Sequence, residues 1–141
     1  MVKPIRVLYV GSGILQSITD LFRDHPNFIL VGDASNQKDA LLQYGLLRPD
    51  IVLLDFMQCA PGIIEIILSI RLRYERAKVL VLSQIDDIDS VRAILNAGAS
   101  GYLLRQFDTS DLALSVRAVN SGTIVLSPML IHKLIRPQMS A

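Results

Sequence analysis

A doubly wound α/β sheet is the fold class that the sequence predicts, and three observations carry it. Five short apolar runs recur along the chain, continuous rather than alternating, as expected of strands buried on both faces. A helix-length segment follows each run, which is the pattern of a parallel sheet with helices on both sides. The chain has 141 residues, 51% hydrophobic and 19% charged, enough for one well-packed core. Right-handed crossovers leave few strand orders for such an alternation, and we expect five strands in the order 2-1-3-4-5.

The first strand is residues 5–10 (IRVLYV), running into Gly11-Ser12-Gly13. A helix over 14–24 follows, with Ile14, Ile18, Leu21 and Phe22 on one face. The second strand is 28–32 (FILVG), and Ser35 is positioned to cap a helix over 36–46. The third strand, Ile51–Asp55, precedes a helix over 63–74. The fourth, 78–83 (KVLVLS), precedes a helix over 87–96 that stops at Gly98. The fifth, Gly101–Leu104, leads to Asp108-Thr109-Ser110, which offer caps for a helix over 111–120 that Gly122 ends. We therefore assign residues 1–122 to one domain and 123–141 to a C-terminal extension or linker with one short helix near 129–135.

Composition narrows the function classes. A formal net charge of +1 gives no electrostatic footprint for nucleic acid or an anionic membrane. The N-terminal apolar run is too short for a signal peptide, and no stretch reaches the length of a membrane span. A single cysteine, Cys59, forms no internal disulfide, and with two histidines it makes no structural zinc site. The expectation is a cytoplasmic protein whose partners are proteins.

In a doubly wound sheet ligands bind at the carboxyl ends of the strands, where the strand order reverses. That rim carries Gly11-Ser12-Gly13, Asp55-Phe56-Met57, Ser83 and Arg105. The glycine loop is a poor dinucleotide fingerprint, because Gln16 stands where a third glycine belongs and only Asp33 is available for a ribose. A strand-to-helix turn is the plainer reading, with a small anionic ligand or nucleotide at the helix N-terminus as a further option.

At this rim the chain resembles the receiver domain of a bacterial two-component response regulator of the NarL/LuxR type, a flavodoxin-like fold. The resemblance rests on VGDASNQKDAL (31–41), RPDIVLLD (48–55), VLVLS (Val79–Ser83), AGASGYLLR (97–105) and GTIVLSP (122–128), in order and at the right spacing. It implies that Asp55 matches the aspartate that accepts a phosphoryl group from a sensor kinase. Ser83 matches the switch hydroxyl and Tyr102 the aromatic that turns inward with it. Arg105 takes the place of a lysine, Gly11 and Ser12 that of an acidic pair that holds Mg²⁺, and Cys59 that of a proline. Regulators of this type carry a helix-turn-helix output domain after the receiver, so the resemblance implies either such a domain in the full-length protein or a stand-alone receiver, with no nucleic-acid contact through the receiver itself.

The departures cluster in one site and act on its chemistry. Transfer to an aspartate needs a free carboxylate and a cation against the phosphoryl oxygens. Mg²⁺ is a hard octahedral ion that one or two carboxylates usually help to hold. Each lost carboxylate removes attraction of roughly 4 kcal/mol at a close pair and intermediate dielectric. Arginine at 105 can pair with Asp55 directly and bidentately. We therefore expect a non-enzymatic, phosphorylation-degenerate receiver without a cofactor, with Arg105 and Asp55 in a metal-free ion pair. The alternative is a phospho-accepting receiver with weak Mg²⁺ binding.

Some features outside the rim remain. Ile63, Ile66, Ile67, Leu68 and Ile70 make the helix after the third strand apolar nearly all round, which reads either as a generous core face or as a homodimer contact. His25 and His132 read as surface residues. Asp86, Asp87 and Asp89 suit a helix start better than a metal site, and Cys59 reads as a small hydrophobe rather than a sensor.

Overall fold

The computed structural model describes residues 3–13, 16–55 and 60–135. Strands β1 (Ile5–Gly11), β2 (Phe28–Ala34), β3 (Ile51–Asp55), β4 (Val79–Ser83), β5 (Gly101–Leu104) and β6 (Val125–Leu126) form one parallel sheet in the order β2-β1-β3-β4-β5-β6. Between them run α1 (Gln16–Asp24), α2 (Gln37–Leu47), α3 (Ala60–Arg73), α4 (Ile88–Asn96) and α5 (Thr109–Asn120), and α6 (Pro128–Ile135) closes the described chain. The expected order holds, but the sheet has six strands rather than five. β6 spans only two residues, too few to register as an apolar run. It is held to β5 and its flanks by the Val125 N–H on the Ser100 carbonyl and the Ser127 N–H on the Tyr102 carbonyl.

The β strands divide two cores. On one face Leu8, Val10, Val52, Leu54 and Val81 pack under α2, α3 and α4, with Leu130 of α6 joining them. On the other, Val7, Tyr9, Ile51, Leu53 and Leu82 pack under α1 and α5. The homodimer reading of α3 is corrected here. Ile63, Ile66, Ile67 and Ile70 are at most 5% exposed because they face the sheet, so only Leu68 of that set reaches solvent. The exposed leucines nearby, Leu42 and Leu46 of α2, line a groove of about 410 Å³.

Capping side chains start α2, α4 and α5. Asn36, not Ser35, caps α2, its Oδ1 accepting from the Asp39 N–H at 2.8 Å. Asp87 caps α4 through the Ser90 N–H at 3.0 Å, and the Ser90 hydroxyl, followed by that N–H, holds its carboxyl below the usual range. Asp108 and Asp111 form a reciprocal capping box at α5. Asp86 takes Lys133 Nζ at 3.7 Å. His132 is exposed and His25 half-buried against the Phe28 ring. No helix among the described residues is long and apolar enough to cross a membrane.

Candidate functional site

Pairing between β1 and β3 sets the site. Gly11 lies opposite Asp55 and Tyr9 opposite Leu53, with all four at or near the carboxyl ends of adjacent strands. Because side chains two residues apart share a face of a strand, Tyr9 lies beneath Gly11, and Leu53 beneath Asp55.

Asp55 is fully buried, and both of its oxygens have partners. Arg105, on the loop after β5, donates to Oδ1 from Nη2 at 2.6 Å and from Nε at 3.0 Å. The pair is therefore two-pronged on the cation but falls on a single carboxylate oxygen, not on both. The other oxygen, Oδ2, accepts from the Tyr9 hydroxyl at 2.7 Å. Arg105 is itself anchored by its backbone N–H on the Ser83 carbonyl at 3.0 Å, and only 12% of its side chain is exposed.

Tyr9 is the member of this site that its sequence context hides, since an aromatic within an apolar run reads as core. The signal is a polar-tipped aromatic two residues before the glycine that opens the loop at the strand end. Its hydroxyl also lies 2.5 Å from the Gly13 carbonyl, so one phenolic proton serves two acceptors. Burial, followed by the hydrogen bond to Asp55 and its charge, pushes the phenol well above its ordinary value. It therefore stays a donor.

Ser83 and Tyr102 form a second cluster around the Ile85 backbone, next to Arg105 through the Ser83 carbonyl. Ser83 is 1% exposed and its Oγ accepts from the Ile85 N–H at 3.1 Å. Tyr102 is fully buried, turned inward, and donates to the Ile85 carbonyl at 2.7 Å. Burial raises its phenol too. Ser12 is exposed and joins neither cluster. Phe56, Met57 and Cys59 lie outside the described residues.

These residues fit Mg²⁺ poorly. The ion wants several oxygen ligands in octahedral array, usually with a carboxylate oxygen free to bind. Oδ1 of Asp55 carries two N–H donors, Oδ2 carries the phenol, and a guanidinium already stands against the carboxylate. Among the described residues no group of three His, Cys, Asp or Glu side chains is placed to hold a metal ion.

A family model for the response regulator receiver domain matches residues 12–117. The chain belongs to that family. It is 34% identical over 111 residues to the transcriptional regulatory protein DegU of Brevibacillus brevis, covering 79% of this chain and 47% of DegU. It is 26% identical over 132 residues to the response regulator protein VraR of Staphylococcus aureus, covering 92% of this chain and 63% of VraR. This receiver thus spans about half the length of DegU and under two thirds of VraR. A two-component response regulator of the LuxR family from Aurantimonas superposes with a TM-score of 0.81 at 25% identity, covering 94% of this chain and 96% of that one. The receiver assignment and the LuxR/NarL kinship expected from the sequence both hold.

Proposed function

We propose that this receiver is phosphorylation-degenerate: a signalling module of a transcriptional regulator that works through protein contacts and not through a phosphoryl group on Asp55. One observation carries the reading. The carboxylate that would act as nucleophile has both oxygens in hydrogen bonds to Arg105 and Tyr9, inside a site from which water is excluded. A nucleophile held this way must break a charge-assisted bond before it can attack, and such bonds are about twice as strong as neutral ones. The guanidinium also opposes a divalent cation at the same place, at about 4 kcal/mol per unit pair of like charges 4 Å apart near a surface. The partners we envisage are a sensor kinase, another regulator or a second copy of the chain, with DNA contact left to a separate output domain such as the longer relatives have room for.

The retained Ser83 and inward Tyr102 favour the second reading, a phospho-accepting receiver with weak Mg²⁺ affinity. Intact-mass measurement after incubation with acetyl phosphate and Mg²⁺ separates the two. The degenerate reading expects no adduct. An adduct on the unaltered chain that disappears in Asp55→Ala establishes the second.

A further inference from the structure

The missing side chain at position 11 and the placement of the Tyr9 phenol are sterically coupled, in a position that the Asp55 backbone carbonyl also crowds. A Cβ built on Gly11 would stand 2.6 Å from the Tyr9 hydroxyl oxygen and 2.8 Å from Cζ, and would also crowd the Asp55 carbonyl. Distances this short are not tolerated in a packed interior. No side chain, acidic or otherwise, can occupy position 11 while the phenol lies where it does. The phenol in turn reaches Asp55 only because position 11 is empty of side-chain atoms. It is 1% exposed, so its hydroxyl is committed to Asp55 and Gly13 and not to solvent.

Resting on the reading above, we propose that Tyr9 is the built-in occupant of the cation site. Its hydroxyl donates to Asp55 Oδ2 from the space that the family's first acidic side chain and its metal would fill, and Gly11 is the residue that lets it in. Asp55 is thus held by two internal donors, a guanidinium on one oxygen and a phenol on the other. The metal preference is set as much by what Tyr9 fills as by which acids are missing. An acid returned to the loop alone should not restore a metal site, because the phenol still occupies it.

Position 12 allows the test, because Ser12 already carries a Cβ and is exposed. Ser12→Asp supplies a second carboxylate without the crowding that any side chain meets at 11. Mn²⁺ is the probe, titrated into ¹⁵N-labelled protein while paramagnetic broadening is followed around Asp55. The expectation is that Tyr9→Val with Ser12→Asp binds Mn²⁺ at least about tenfold more tightly than Ser12→Asp alone, a step worth 1.4 kcal/mol in the binding constant. Equal affinities overturn the proposal. Tyr9→Phe keeps the ring and removes only the hydroxyl, so it covers the case in which the valine variant folds poorly. Its Asp55 carboxyl ¹³C resonance should move from the wild-type position, and an unmoved resonance overturns the proposal as well. An Asp55 phospho-adduct on the unaltered chain is a different result: it sinks the degenerate reading, whereas Tyr9-independent Mn²⁺ affinity sinks the assignment of Tyr9 alone.

Discussion

The two halves of the strand-end rim differ in what holds them together. On the β1–β3 side Gly11 and Ser12 carry no acid, and a phenol and a guanidinium hold the Asp55 carboxylate. On the β4–β5 side Ser83 and Tyr102 are both present, and Tyr102 lies fully buried in a core that Leu126 and Leu130 of the C-terminal segment help to close. The contrast has a physical basis. A buried carboxylate tolerates no partial change, because removing the charges around it leaves it unpaired at high cost. The polar half therefore holds together as a unit. The half that carries Ser83 and Tyr102, the expected switch half, is mostly packing, and packing needs no charge partner to persist.

The largest effect should come from breaking the polar half at its cation. Arg105→Ala leaves Asp55 fully buried without a counter-charge. Stability in urea should fall by about 3–5 kcal/mol, the usual cost of orphaning a buried charge. Adding Asp55→Asn to Arg105→Ala should recover part of that loss, since the orphan is then neutral. A loss under about 1 kcal/mol, as for an exposed pair, would mean that the two halves are not held differently at all.

A smaller effect sharpens the comparison through pH. Burial raises the phenols of Tyr9, Tyr44 and Tyr102 above the ordinary value of 10.0. A group whose folded pKa is raised contributes stability that is fully present below its unfolded pKa, here about 10, and that is lost as the pH rises toward its folded pKa. Between those limits the unfolded chain has released a proton that the folded chain still holds. Tyr9, whose shift is large, then removes up to about 1.4 kcal/mol of stability per pH unit, and Tyr44 and Tyr102 act in the same direction. Urea unfolding at pH 9, 10 and 11 should show this decline, and Tyr9→Phe should flatten it by roughly one group's share. A slope unchanged by Tyr9→Phe would show that the phenol ionises freely in the folded chain and is not locked against Asp55.

The same comparison shows how much could be read without coordinates. The sheet order was legible because the strands are continuous apolar runs, whereas β6 was not, because two residues leave no periodicity. The Asp55–Arg105 pairing was legible from charge balance at a shared rim. Its landing on one oxygen was not, because that depends on Tyr9 taking the other. Tyr9 was hidden by its surroundings: between Leu8 and Val10 an aromatic reads as core, and only its spacing from Gly11 marks it as more. On α3, composition left core and interface indistinguishable, and only the direction in which Ile63, Ile66, Ile67 and Ile70 face the sheet decided between them.

The smallest effect concerns what holds the C-terminal segment over the switch half. Lys133 of α6 donates to the Asp86 carbonyl at 3.2 Å and lies 3.7 Å from its carboxylate. The two side chains are 42% and 60% exposed, so water competes for both. Lys133→Ala should therefore cost no more than about 1 kcal/mol, read as a small shift in melting temperature that shrinks further in high salt. Leu130 is the contrasting anchor on the same helix, since it is fully buried against the Tyr102 core. If Lys133→Ala instead costs more than about 2 kcal/mol, beyond the range of exposed pairs, α6 is latched by charge. The switch half would then depend on an electrostatic contact, as the β1–β3 half does, and the contrast between packing and polar lock would fail.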